Sequence, residues 1–168
     1  MLVRGFDSIA GTDAKVLILG TLPSERSIQA NEYYAHSRNA FWFIMERLFA
    51  GQIGLEYAAR KALLIGARVA LWDVLHAAKR CGSVDSNIVP GSEVVNDFAA
   101  FFAQHPGIHT VFFNGGNAQA LFRRLVVPQP DLRFVRLPST SPANARMTRE
   151  CKLEQWKAAL REALNGNA

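Results

Sequence analysis

Four short apolar runs punctuate this chain: Val16 to Gly20, Arg68 to Leu75, Thr110 to Asn114 and Phe134 to Pro138. Between them the apolar positions recur at helical spacing. Strands covered by helices on both faces must be apolar throughout, so this alternation predicts a buried parallel sheet. The expected fold class is α/β, a three-layer α/β/α arrangement with a central, mainly parallel four-stranded sheet flanked by helices. Helices are expected from about Asn39 to Phe49, Leu55 to Ile65, Ser92 to Gln104, Asn117 to Val126 and Cys151 to Leu164. Ser92 has the chemistry of an N-cap, with Glu93 beside it in the first turn. Thr148 is placed to cap the final helix, whose Leu153, Trp156, Ala159, Leu160 and Leu164 form one apolar stripe. No repeat, low-complexity tract or linker breaks the pattern, so residues 1–168 read as a single domain.

Composition narrows the setting. Hydrophobic residues make up 49% of the chain, which suits a globular protein in water. No apolar run reaches membrane-spanning length, and the opening MLVRGFDSIAG lacks the apolar block of a signal peptide. Cys81 and Cys151 are too few for a disulfide framework or a four-cysteine metal or cluster site, so a reduced, cytoplasmic setting is expected. No set of residues has metal-ligand spacing. A formal charge of +5 permits a polyanionic partner without singling one out.

Three loops leave the carboxyl ends of predicted strands, where an open α/β sheet binds its ligands. The first, Gly20 to Phe43, carries hydroxyls, adjacent Tyr33 and Tyr34, His36 and Asn39 before it opens into a helix. A plain connection is shorter and more polar. The second, Asn114-Gly115-Gly116-Asn117, has glycines that let backbone and ligand approach closely; it also reads as a helix entry capped by Asn117. The third, LPSTSPANARMTR from Leu137 to Arg149, offers hydroxyl and backbone donors to a phosphate, stiffened by Pro138 and Pro142. Its plainer reading is a proline-rich link to the last helix.

Four segments together carry a resemblance: GTLPS at Gly20 to Ser24, EYYAHSRNAFW at Glu32 to Trp42, FNGGNA at Phe113 to Ala118, and LPSTSPAN at Leu137 to Asn144. In this order they resemble the motifs of the uracil-DNA glycosylase superfamily, most closely its hypoxanthine-DNA glycosylase branch. The resemblance covers most of the chain. It implies a DNA repair enzyme that flips a deaminated base out of the helix and hydrolyses its N-glycosidic bond, leaving an abasic site. Hypoxanthine is the first candidate base, with uracil and xanthine behind it. The implied partner is DNA containing deaminated bases, engaged by a monomer without cofactor. Because Cys81 and Cys151 are isolated, the iron–sulfur cluster of some thermophilic members is not expected.

A duplex base is inaccessible until extruded, so such an enzyme needs a pocket, a phosphate clamp and something to fill the gap. Tyr34 lies where mismatch-specific relatives place an aromatic under the flipped base; Tyr33 suits core packing better. Asn114 matches the family position at the third strand's end, where an amide both donates to and accepts from a base edge. Gly20, Thr21 and Leu22 complete the implied base-binding set. Ser24, Ser139, Thr140 and Ser141 are the implied phosphate contacts. Asn144, Arg146 and Met147 correspond to the superfamily's inserting loop, and one of the three is the implied wedge.

One departure from the family pattern is informative. Many members carry Asp or Asn two residues after the opening glycine of the first motif, to handle the attacking water. Leu22 stands there and does neither. In the hypoxanthine branch the burden falls on the Asn of RNAFW, here Asn39. Its carbonyl accepts a hydrogen bond from water and aims a lone pair at the sugar carbon, which suffices when bond cleavage runs ahead of attack. Asn39 reads equally as a helix N-cap. His36 is the second catalytic candidate, with a loop-ordering hydrogen bond as its alternative. Asp73, Asp85 and Asn87 read as loop-ordering groups. Two other functions stay open: a nucleoside or nucleotide N-glycosidase, which needs no phosphate clamp, and a non-catalytic DNA-binding relative, which Leu22 would suit.

Overall fold

The computed structural model describes residues 1–127, 129 and 131–166; the last two residues of the expected 1–168 domain lie outside them. In chain order the elements are β1 (Leu2–Arg4), β2 (Val16–Gly20), α1 (Glu25–Ala30), α2 (Phe41–Phe49), α3 (Tyr57–Gly66), β3 (Val69–Asp73) and β4 (Leu75–Lys79). A single 3-10 turn (Asp85–Asn87) follows, then β5 (Val94–Val95), α4 (Phe98–Gln104), β6 (Thr110–Asn114), α5 (Gly116–Leu125), β7 (Arg133–Leu137) and α6 (Arg149–Asn165).

Strands β3, β2, β6 and β7 form, in that order, a four-stranded sheet that is parallel at every pairing. Every residue of β2 is buried, because helices cover both faces of this central strand. Val16 and Ile18 pack with Phe41, Ile44, Leu64 and Trp156 from α2, α3 and α6. Leu17 and Leu19 point the other way, onto Phe98, Phe101 and Phe122 from α4 and α5. The three-layer architecture expected from the hydropathy pattern is therefore present.

Two of the expected elements depart furthest from expectation. The second predicted strand, Arg68 to Leu75, is really two. At Val74 the chain leaves the parallel sheet; the Val74 and Leu75 amides donate to the carbonyls of Gly20 (2.8 Å) and Thr21 (3.2 Å). It then enters β4, the centre of a small antiparallel sheet ordered β1-β4-β5. The helix expected from Ser92 begins only at Phe98, capped by Asp97, whose carboxylate accepts from the Ala100 amide. The Ser92 hydroxyl instead accepts from the Lys79 amide at 3.0 Å, and Val94–Val95 pair with β4. Two β-branched residues favour that strand over a helix start. Thr148 does cap α6, accepting from the Cys151 amide at 3.1 Å. Among the described residues no helix is long and apolar enough to cross a membrane.

Candidate active site

The carboxyl edge of the parallel sheet opens into a cleft of ≈ 570 Å³, within the usual range for small-molecule sites. Its rear wall is set by strand register. Gly20 stands opposite Asp73, and Asn114 opposite Leu137. At Gly20 there is no room for a side chain: a Cβ would lie 2.6 Å from Asp73 Oδ1 and 2.7 Å from the Tyr34 hydroxyl. Glycine here lets a ring and a carboxyl converge on one strand end.

The loop after β2 is shaped from within. The Ser24 hydroxyl accepts from the Ser27 amide and caps α1. Arg80, fully buried at the end of β4, holds the loop from behind. Its Nη2 donates to the Pro23 carbonyl and its Nε to Gly82 at 2.8 Å. Tyr34 adopts a left-handed backbone with φ 54°, costly for a bulky residue and retained where the surroundings fix it. Two contacts do so: its ring lies 4.3 Å from that of Phe41, and its hydroxyl accepts from Asn114 Nδ2 at 3.1 Å. Burial raises its pKa well above the ordinary tyrosine range, so the phenol stays neutral. Tyr33 turns the other way into the core, donating to the Asp7 carbonyl at 2.8 Å.

Asn114 is the hub. Its Nδ2 donates to both Tyr34 Oη and Thr140 Oγ1 (2.9 Å), while Oδ1 accepts from the Thr140 amide at 2.9 Å. Both N–H groups are engaged, and Oδ1 retains one lone pair. Thr140 is fully buried and its carbonyl accepts from the Ala40 amide, so it is a pin between loops. Ser139 and Ser141 use their hydroxyls to accept from the loop amides of Ser141 and Ala143, and Asn144 Nδ2 donates to the Ser139 carbonyl. From below, Trp156 Nε1 donates to the Pro138 carbonyl at 2.9 Å and Lys152 Nζ to the Ser141 carbonyl at 3.2 Å.

Asn39 immediately precedes α2, and its Oδ1 accepts from the Phe41 amide at 2.9 Å. It serves the helix start without being the formal cap, which is Ala40. His36 Nδ1 accepts from the Arg38 amide at 3.1 Å, which leaves the proton of a neutral ring on Nε2. Gly20, Thr21, Leu22, Ser24, Tyr34, His36, Asn39 and Asn114 line the cleft, as do Ser139, Thr140, Ser141 and Asn144. Arg146, exposed, and Met147, half-buried, lie outside it.

Two carboxyls that read as loop-ordering groups also face the cleft. Asp73 is 4% exposed and its carboxyl is pushed up to about 7, by burial first and the nearby Asp85 second, against the pull of Arg80. Burial likewise raises Asp85, with hydrogen bonds from Thr21 and Asn117 opposing. The type of residue at 73 was visible in the sequence; its aim depended on strand register. Among the described residues no group of three or more His, Cys, Asp or Glu could hold a metal ion.

This fold and cleft define a known class. The chain belongs to the uracil DNA glycosylase superfamily, whose family model matches residues 6–165. A hypoxanthine DNA glycosylase of Methanosarcina acetivorans is 35% identical over 169 residues, 96% of this chain and 99% of that protein. One from Methanosarcina barkeri is 33% identical over 116 residues, 68% of this chain and 72% of that one. The solution NMR structure of a Methanosarcina acetivorans protein provisionally described as a uracil DNA glycosylase superimposes with a TM-score of 0.79. It is 32% identical and the match covers 97% of this chain and 99% of that one.

Proposed function

We propose that this chain is a monofunctional DNA N-glycosylase that flips a deaminated base into the cleft and hydrolyses its N-glycosidic bond, with hypoxanthine the preferred base. The observation that carries the reading is the pairing of Tyr34 with Asn114 on the wall of a cleft at the sheet's carboxyl edge. A flat ring there recovers stacking lost on extrusion, and the free lone pair of Asn114 Oδ1 accepts an N–H of the base. Family membership and the relatives' activity on hypoxanthine support the same reading.

The chemistry needs no residue to act as a strong base. The C1′–N bond breaks with its electron pair on the base, and a water oxygen bonds to the oxocarbenium-like sugar and releases its proton to solvent. Asn39 positions that water with the lone pair that Phe41 leaves unused, while Gly20, Thr21 and Leu22 exclude bulk solvent from the base. His36 orders the loop that carries Asn39. Ser24, Ser139, Ser141, Asn144 and Arg146 face the sugar-phosphate backbone, and Met147 or Asn144 fills the gap in the helix. The protein is read as one domain acting as a cytoplasmic monomer without cofactor.

The test is a panel of duplexes with single hypoxanthine, uracil or xanthine residues, scored for abasic sites in the presence of chelator. Hypoxanthine release is expected. Absence of abasic product from every lesion sinks the reading, and turnover of free deoxyinosine alone moves it to nucleosides.

A further inference from the structure

We propose that Asp73 is a further base-contacting residue, its neutral carboxyl donating a hydrogen bond to an acceptor on the edge of the flipped base. The proposal rests on the glycosylase reading above and adds to it a contact and a pH dependence.

Asp73 ends β3 beside the end of β2, and its carboxyl oxygen and the Tyr34 hydroxyl flank the same point above Gly20. The residue is 4% exposed yet lines the cleft. Its backbone carbonyl is satisfied by Asn96 Nδ2 at 2.7 Å. Among the described residues, none donates a hydrogen bond to either carboxyl oxygen, whereas Asn114, Thr140 and Asp85 around it all have side-chain partners. A cleft-lining carboxyl that no protein donor satisfies is free to pair with a ligand.

The groups that face it come from three segments: Tyr33 and Tyr34 from the first loop, Arg80 from the end of β4 and Asp85 from the 3-10 turn. Arg80 is tied to the Pro23 and Gly82 carbonyls and gives Asp73 no direct hydrogen bond. Burial and Asp85 outweigh it, so a large share of Asp73 is protonated at neutral pH. A neutral carboxyl is a donor; a carboxylate is an acceptor only. The departing base gains negative charge, which a donor stabilises and a carboxylate repels. A 6-oxopurine presents a carbonyl acceptor where adenine presents an amino group, so a donor here also favours the deaminated base.

Single-turnover release from a saturating deoxyinosine duplex, measured between pH 5.5 and 9.5 with thermal melts in parallel, tests this. The wild-type rate is expected to fall about tenfold per pH unit above the Asp73 midpoint. Asp73→Asn keeps a donor and should hold its low-pH rate at high pH; Asp73→Ala should be slower by roughly a hundredfold at low pH. Asp85→Asn removes a negative neighbour, eases ionisation of Asp73 and should shift the decline to lower pH. A wild-type rate that rises with pH, together with an inactive Asp73→Asn, would assign the carboxylate form and overturn the proposal. So would an unchanged decline in Asp73→Asn, or near-normal release by folded Asp73→Ala. Wild-type protein that makes no abasic product at any pH overturns the glycosylase reading itself and this proposal with it.

Discussion

Asn114 and Thr140 grip each other in both directions: the Asn114 side chain accepts from the Thr140 amide and donates to the Thr140 hydroxyl, each at 2.9 Å. The pair joins the end of β6 to the loop after β7, inside the cleft. Thr140→Val keeps the shape and removes the hydroxyl, leaving one Asn114 N–H unsatisfied. A loss of about 1–3 kcal/mol in urea unfolding is expected. With Asn114→Ala as the second mutation, the losses should be strongly non-additive. Additive losses would mean that the two residues do not act as a unit.

Asn39 has one oxygen serving both a helix amide and, in the proposed mechanism, a water. Asn39→Ala should lower stability by about 1 kcal/mol and the chemical step by about a hundredfold or more. Asn39→Asp keeps an acceptor for the Phe41 amide, so its melt should match wild type while its cleavage rate changes. Early melting of Asn39→Ala with normal cleavage would leave it a helix-start residue alone.

Asp73 gives a stability signature independent of activity. Burial pushes its carboxyl up to about 7 in the fold, against an ordinary value of 3.8. Below the lower value it is neutral in both states and carries no ionisation penalty. Between the two, the unfolded chain loses a proton that the fold retains, so stability falls as pH rises; above the higher value the penalty is constant. Asp73→Asn lacks this penalty. Its advantage over wild type should grow from pH 4 to 7 and then level, reaching at most about 4 kcal/mol at 1.36 kcal/mol per pH unit. A pH-independent difference in chemical denaturation would show that Asp73 ionises normally.

Arg146 is exposed beyond the cleft, and the proposed function puts it against the DNA backbone. Arg146→Ala should weaken lesion and normal duplexes alike and reduce the slope of log affinity against log salt by about one. Met147→Ala should instead slow base release more than it weakens binding, because a wedge acts in flipping. An unchanged salt slope would place Arg146 away from the phosphates.

Much of this fold is legible in local pattern. VLILG announces a central strand because every side chain is covered, and Thr148 announces a helix because its hydroxyl has an amide to cap. LHAAK does not announce β4. Its apolar start continues VALWD without a break, and the switch of sheets at Val74 comes from hydrogen bonds to a loop more than fifty residues away. The residues of the cleft were visible as types, but their mutual engagement was not. Asn114 reads from the sequence as a base contact and Thr140 as a phosphate contact; that the two also bond each other is set by the register of β6 and β7.

Each of the three tryptophans ties its indole N–H to a backbone carbonyl: Trp42 to Tyr33, Trp72 to Phe6 and Trp156 to Pro138. Two of those carbonyls belong to the loops that frame the cleft. The protein thus contains its own optical probes, one beneath each loop, with Trp72 as a reference elsewhere. Replacing two indoles at a time with phenylalanine would leave a single emitter, and its colour on adding duplex would report which loop moves first.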